Sequence, residues 1–258
     1  MPETAPETAA PGTAPVSVTF AGSGDAFGSG GRFQACIHLQ HEALAAPVLL
    51  DCGATSLTAL RRANLDPGEI GAVLVSHLHG DHFGGLPFLI LDGQFSRRTA
   101  PLTIAGPPGT QPRLATAMEC LFPGSSQVDR RFELRVVELV PGQTTNVAGI
   151  AAQAFAASHP SGAPALILRL AVGGKVIAYT GDTAWTPAIT EASHHADLLI
   201  AEAYYWDKPV PHHLRHTDLT GHELTARRIV LTHMSAAMLA REPPPGHETA
   251  HDGLTITV

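Results

Sequence analysis

Four side chains able to bind a transition metal fall within six residues, His77-Leu78-His79-Gly80-Asp81-His82. Imidazole nitrogen and carboxylate oxygen are donors that zinc takes readily, with manganese or iron as competitors. A lone histidine is most often structural, but four residues of the right types directly after an apolar run describe a ligand set. In extended backbone alternate residues face the same way, so His77 and His79 are expected to share one cation, with Asp81 and His82 turned toward a second. Gly80 is expected to relieve crowding by taking a backbone angle that suits glycine. Three further donors stand where apolar runs end: His159 just before Pro160, Asp182 just after Gly181, and His233 after Ile229–Leu231. Together they give seven donors, enough for two divalent ions.

These donors need a scaffold that delivers strand ends to one place. Val16–Ala21, Phe33–Leu39 and Pro47–Leu50 read as neighbouring antiparallel strands broken by glycine. A helix at Leu57–Ala63 follows, then a buried strand, Ala72–Val75, that leads into Ser76-His77. Leu86–Phe95 has helical spacing, Leu102–Ala105 is a strand, and Arg113–Leu121 is an amphipathic helix. The second half opens with strands at Leu134–Leu139 and Ala151–Ala156, then Ala165–Ala171 and Lys175–Tyr179 joined at Gly173-Gly174, a hairpin signal. Helix Pro187–Ser193, strand Leu198–Ala201, a helix near Leu219–Ala226, strand Ile229–Leu231 and a last strand, Leu254–Val258, complete the chain. Each half runs strands first and strand–helix alternation second. That order predicts an α/β fold with two mixed β-sheets packed face to face and helices outside, an αββα sandwich. Binding residues are then expected along one edge, on the loops at the strand ends.

The chain has 258 residues, of which 44% are hydrophobic and 15% charged, as suits one globular domain over residues 16–258. Residues 1–15, almost wholly Pro, Ala, Thr, Glu and Gly, lack the basic start and apolar middle of a signal peptide and are expected to be a disordered tail. No apolar run approaches the ~20 residues that span a bilayer, so no membrane partner is expected. A formal charge of −7, with only 16 Lys and Arg, argues against a protein built to grip a nucleic-acid backbone. Bound cations would offset that charge in the cleft, so a small anionic substrate stays admissible. Cys36, Cys52 and Cys120 cannot all pair within one chain and form no CxxC, which points to a reducing cytoplasm and to no catalytic thiol.

Read in order, the motifs resemble those of metallo-β-lactamase-fold hydrolases, and within them the ribonuclease Z-like branch. Ala21-Gly22-Ser23-Gly24 is similar to the branch's glycine-rich first turn, and Leu50-Asp51-Cys52-Gly53 to its second strand end. Ser76 to His82 resembles its signature, Ser158-His159 its third motif, Tyr179-Thr180-Gly181-Asp182-Thr183 its bridging aspartate, and Leu231-Thr232-His233-Met234-Ser235 its last ligand. The resemblance implies that His77, His79 and His159 hold one metal and that Asp81, His82 and His233 hold the other. Asp182 would bridge them, with a hydroxide of lowered pKa between two ions roughly 3.5–4 Å apart. Similar proteins carry their general acid on a loop about twenty residues before the last ligand. His213 fits that distance (233 − 213 = 20) and His216 is second, with His212 beside them. The catalytic set implied is thus Asp81, His213 and His216. Asp51 is expected to orient a ligand from behind, as carboxylates do for metal-bound histidines. His38, His41, His194, His195, His222, His247 and His251 have no spacing that recommends them, and His194-His195 suit the end of a helix.

One metal-activated hydroxide can serve many esters, so the site defines the reaction better than the substrate. Members of the branch that process transfer RNA insert a long arm between the third-motif histidine and the bridging aspartate. Here that interval is 182 − 159 = 23 residues, room for two strands and a turn. The expectation is a small-molecule phosphodiesterase holding two ions, most readily Zn2+. Nucleic acid is not the expected substrate, and the branch's frequent homodimers imply one here. The alternatives are hydrolysis of a β-lactam, lactone or sulfate ester, transfer-RNA 3′ processing, or metal binding without turnover. Redox relatives usually place Glu where this chain has His79. Substrate contacts are expected from the loops near Phe27–Arg32, Phe83–Leu86 and Tyr204–His216, where Tyr204, Tyr205 and Trp206 offer aromatic surface and Lys208 a charge.

Overall fold

Short β-branched and leucine-rich runs separated by glycine turns give fourteen strands among the described residues, and they form two seven-stranded sheets. The structure is a computed structural model that describes residues 14–241 and 246–258. The tail expected over residues 1–15 therefore lies, at residues 1–13, outside them. Strands are numbered β1–β14 and α-helices α1–α7 in chain order.

The first sheet contains β1 (Ser17–Gly22), β2 (Cys36–Gln40), β3 (Val48–Leu50), β4 (Ala72–Leu74), β5 (Leu102–Gly106), β6 (Leu134–Glu138) and β14 (Thr255–Thr257), in the order β14-β1-β2-β3-β4-β5-β6. Pairing is antiparallel from β14 to β3 and parallel from β3 to β6. The second sheet contains β7 (Thr144–Val147), β8 (Ile150–Ala156), β9 (Leu166–Val172), β10 (Lys175–Tyr179), β11 (Leu198–Glu202), β12 (Ile229–Thr232) and β13 (Glu248–Thr249), in the order β13-β12-β11-β10-β9-β8-β7. Here β7 to β10 pair antiparallel and β10 to β13 parallel. The two sheets thus repeat one plan, as the order of runs in the sequence implies.

Side-chain alternation along the strands builds the layers. Ala72 and Leu74 of β4 face a core between the sheets with Phe20, Leu39, Leu168, Ile177 and Ile200, whereas Val73 faces the other way. There it packs with Leu60 of α1 (Ser56–Arg62), Leu89 and Ile90 of α3 (Leu86–Phe95) and Leu114 of α4 (Thr110–Leu121). On the opposite side Ala178, Leu199 and Leu231 meet Ile189 of α5 (Pro187–Ser193), Leu219 of α6 (His216–Thr220) and Met238 of α7 (Ala236–Leu239). The result is the expected αββα sandwich.

Three local expectations are corrected. The helix placed near Leu219–Ala226 is α6, a turn earlier, because Arg215 and Asp218 form a reciprocal cap and Gly221 ends the helix. Strand β7 was not foreseen: Thr144–Val147 is polar but for Val147 and half exposed, and it pairs with β8 through a turn in which Ala148 and Gly149 both take positive φ. The two-residue strand β13 carries too little pattern to be read at all.

Candidate metal centre

The seven predicted donors converge at the edge where the parallel strands of both sheets end. Beyond β4 the chain turns at Ser76, whose N–H and Oγ–H donate to Asp51 Oδ1 and Oδ2 at 2.6 and 2.8 Å. Asp51 follows β3 with φ 59°, a left-handed angle that Asp tolerates better than most residues. Ser76 also accepts the N–H of Leu166, which ties the turn to β9 of the other sheet. His77 follows, fully buried, and His79 starts α2 (Gly80–Phe83). The second half of the motif is therefore helical rather than extended. One helical turn, not strand alternation, aims Asp81 and His82 away from His77 and His79. Gly80 takes no left-handed angle, and a Cβ there would meet nothing within 4 Å, so the crowding argument for this glycine fails.

From the second sheet, His159 comes from the loop between β8 and β9, Asp182 from the exit of β10, and His233 from the exit of β12. Gly181 is needed for its neighbour's position. Its φ is 53°, and a Cβ there would lie 2.6 Å from that of Ser76. His233 itself sits at φ 55°, held by its N–H to Ser23 O at 3.2 Å.

His77, His79 and His159 form one group whose ligand atoms lie within 4.8 Å of one another. Each pair of their rings is 4.9 Å apart, at 71–79° between planes. Asp81, His82, Asp182 and His233 form a second group, buried throughout. In it His233 Nε2 is 3.2 Å from Asp81 Oδ2 and 3.4 Å from Asp182 Oδ2, and His82 Nε2 is 3.2 Å from Asp182 Oδ1. Asp182 Oδ2 also lies 3.9 Å from His77 Nε2, so this carboxylate reaches both groups.

Outer partners set the imidazole tautomers. His82 Nδ1–H donates to Asp51 Oδ2 at 2.6 Å, and His159 Nδ1–H donates to His212 O at 2.9 Å. His77 Nδ1 is 3.1 Å from Ser76 Oγ, whose own proton goes to Asp51, so Nδ1 is again the donor. Each arrangement turns Nε2 inward as the atom a metal would take, and that of His159 lies 3.1 Å from His79 Nδ1. His77 Nε2, His82 Nε2 and Asp182 Oδ1 are buried with no aligned hydrogen-bond partner. Buried polar atoms are seldom left so, and these are atoms a cation would use. The donor set fits two divalent ions.

Charge follows the same geometry. Burial and the neighbouring His82 hold His77 well below the ordinary imidazole range. Burial opposes a charge on His82 and His233, but Asp182 and Asp81 outweigh it, lifting His82 well up and carrying His233 to about 9. Against burial, His233 and His82 hold Asp182 well below the usual carboxylate range.

A third group joins Asp182 and His233 to Glu202 and His213. His213 Nδ1–H donates to Glu202 Oε2 at 2.9 Å, and Glu202 Oε1 accepts the N–H of Thr183 at 2.6 Å. Burial and the charge of Asp182 push Glu202 up to about 7. Burial would lower His213, but Glu202 keeps it above the ordinary imidazole range, so the pair holds a proton near neutrality. The His213 ring stacks on Tyr204 at 4.9 Å and lies nearly parallel to His233 at 5.8 Å. These residues open onto a cleft of about 200 Å³ lined by Ala26, Phe27, His79, Asp81, His159, Asp182, Tyr204, His213 and His233.

Glu202 escaped the sequence reading, although it ends the apolar strand Leu198–Glu202 much as Asp182 and His233 follow theirs. His216, the second candidate acid, is not brought to the site. It starts α6, packs 4.5 Å from Trp206 and lies 3.2 Å from His247 Nδ1. The stretch Phe83–Leu86 is mostly buried where α2 meets α3 and offers no substrate surface. Of the aromatic trio only Tyr204 lines the cleft. Tyr205 and Trp206 line a neighbouring pocket with Lys208 and Arg241.

Sandwich, strand-end ligand groups and motif order together define a metallo-β-lactamase-fold hydrolase. The β-lactamase superfamily domain matches residues 47–234, and the chain belongs to that superfamily. Within it the chain is ribonuclease Z-like. It is 28% identical to a ribonuclease Z of Methanosarcina acetivorans over 85% of this chain and 87% of that one. The short form of human tRNase Z superposes with a TM-score of 0.74 at 26% identity, over 93% of this chain and 98% of the other. A diphosphatase of the PhnP family shares the fold, with a TM-score of 0.74 at 21% identity over 95% and 97% of the two chains. The ribonucleases among these relatives weigh against the expectation that nucleic acid is not a substrate. Membership of the superfamily implies divalent metal binding, and no helix among the described residues is long and apolar enough to cross a membrane.

Proposed function

We propose that the protein is a two-metal phosphodiesterase for small substrates. His77, His79 and His159 would hold one ion and Asp81, His82 and His233 the other, with Asp182 within reach of both groups. The observation that carries this reading is the Glu202–His213 pair beside the two ligand groups. A diester hydrolase needs a proton for its leaving alkoxide as well as a place for the phosphate. Two bound divalent ions, with zinc favoured by the histidine-rich donors, supply Lewis acidity and an activated water. The chain's own residues do the rest. Glu202 fixes Nδ1 of His213, so the proton free to move is on Nε2, and it passes to the departing oxygen. Asp51 and His212 O hold His82 and His159 in the tautomers that ligation requires. Asp81 acts as a ligand, and its catalytic share lies in positioning. Between His159 and Asp182 the chain holds only β9, β10 and their Gly173-Gly174 turn, which supports a small substrate over one gripped by a long arm.

The test compares kcat/KM of zinc- and manganese-loaded protein on bis(p-nitrophenyl) phosphate, small alkyl and cyclic phosphodiesters, precursor transfer RNA and nitrocefin. Turnover is expected on the small diesters, with slow or no RNA processing. Efficient transfer-RNA cleavage, or lactam turnover well above diester turnover, overturns the substrate assignment and leaves the metal centre standing.

A further inference from the structure

At the mouth of the cleft Phe27 is 83% exposed, the most exposed of the large hydrophobic side chains among the described residues. Yet the backbone that carries it is tied down. Buried Asp25 accepts the N–H of Phe27 at 3.2 Å and of Ser29 at 2.9 Å through Oδ1, and the Ser29 hydroxyl at 2.7 Å through Oδ2. Gln34 Nε2 holds the carbonyl of Ala26 at 3.0 Å. The chain then leaves through Gly28, Gly30 and Gly31 at φ 68°, 69° and 74°, angles that favour glycine. A braced backbone thus carries an aromatic ring exposed to water, against the hydrophobic effect, in the wall of the cleft that holds His79, Asp81 and Asp182.

The same wall has a second property. No Lys or Arg lines it among the described residues, and residues 1–13 and 242–245 contain neither. Of the cationic side chains close by, Lys208 lies over Tyr205, Arg241 lies over Trp206 and Arg32 donates to Ala250 O, while Arg113 reaches Gly162 in the loop of His159 without lining the cleft. The phosphate at the reacting centre would be met by the ions, but a second phosphate on the same ligand has no counter-charge in the cleft wall.

We propose that Phe27 is a stacking platform, so that the preferred substrate class is a phosphodiester with a single phosphate and one flat aromatic ring, of nucleobase type, on an ester alcohol. This inference rests on the phosphodiesterase reading. Stacking recognises the face of a ring and not its hydrogen-bonding edge, so different bases are accepted alike. It also explains why the ring stays exposed, since its partner arrives with the substrate.

The experiment measures calorimetric affinities of metal-loaded protein for AMP and ribose 5-phosphate, product-like monoesters with and without a base. Adenosine 3′,5′-bisphosphate is the probe for a second phosphate. AMP is expected to bind about 5- to 150-fold more tightly than ribose 5-phosphate, the range that one base stacked on one aromatic ring gives. The bisphosphate is expected to gain nothing over AMP. Phe27→Ala should erase the preference and Phe27→Trp should restore it. An exposed residue of this kind makes few packing contacts, so both variants are expected to fold. Protein that hydrolyses phosphodiesters but binds AMP and ribose 5-phosphate alike overturns the platform and leaves the phosphodiesterase reading intact. So does Phe27→Ala with the preference undiminished. Tighter binding of the bisphosphate by tenfold or more overturns the single-phosphate assignment, and protein that hydrolyses no phosphodiester removes both readings.

Discussion

Asp51→Asn tests whether the metal centre depends on a carboxylate that would touch no metal. Asp51 Oδ1 accepts one donor, the N–H of Ser76 at 2.6 Å. Its Oδ2 accepts three: Ser76 Oγ–H at 2.8 Å, His82 Nδ1–H at 2.6 Å and Tyr179 O–H at 2.7 Å. Asparagine keeps the size and tolerates the left-handed angle at position 51, so the turn itself should survive. It cannot keep all four bonds. With its amide nitrogen in the place of Oδ1, two N–H groups face each other at Ser76. With the nitrogen in the place of Oδ2, His82 must accept at Nδ1 and carry its proton on Nε2, where a metal would bind. Either way one charge-assisted bond is lost and a buried donor is stranded, a cost of about 1.5–3 kcal/mol. Passed on to metal binding, that is roughly 10- to 100-fold in affinity, in line with the usual cost of removing a carboxylate behind a metal-bound histidine. Chelator-competition titrations with zinc, beside thermal melts of the metal-free protein, separate the two effects. Lower metal-free stability with unchanged zinc affinity would refute the tautomer argument.

His213→Ala should keep the metal content and lower turnover by about 10²–10⁴, the usual worth of a positioned general acid, and by less on p-nitrophenyl esters, whose leaving group needs little protonation. Equal loss across leaving groups in steady-state kinetics would assign His213 a structural role. Glu202→Gln removes the charge that keeps His213 above its ordinary range. An acid must be protonated to act, so the alkaline limb of the kcat/KM profile should move to lower pH, with more activity lost at about pH 8 than at about pH 6. A limb that stays in place contradicts the pairing. His216→Ala should leave metal content and kcat/KM within about twofold and cost about 1 kcal/mol of stability, because its ring packs on Trp206 away from the cleft. A large kinetic defect with an unchanged melt would restore it as a candidate acid.

Most of the fold was legible because burial on two faces leaves a plain signature. Ala72–Leu74 and Leu198–Glu202 are apolar almost throughout, as strands covered by a sheet on one face and helices on the other must be. Where that double burial is missing, the reading failed. The exposed edge strand β7 follows its partner's pairing and not its own composition, and α6 was misplaced because its start is set by a cap between Arg215 and Asp218.

The site divides in the same way, by what a side chain must do locally. Ligands were legible because they are donors left at the exit of an apolar strand or crowded into the six residues just beyond one, where folding alone gives no reason for a histidine or an aspartate. Glu202 obeys that rule too, but one carboxylate closing a strand reads as ordinary punctuation until its partner is known. The distance to the last ligand ranked His213 ahead of His216 without deciding among His212, His213 and His216, and they separate only in three dimensions. His212 turns through φ 65° and offers its carbonyl to His159, which puts the next residue, His213, against Glu202 and sends the chain on to cap α6 with His216 outside the cleft. One left-handed residue thus decides which of three neighbouring histidines stands beside the metal ligands, and a backbone angle at a non-glycine residue leaves almost no trace in composition.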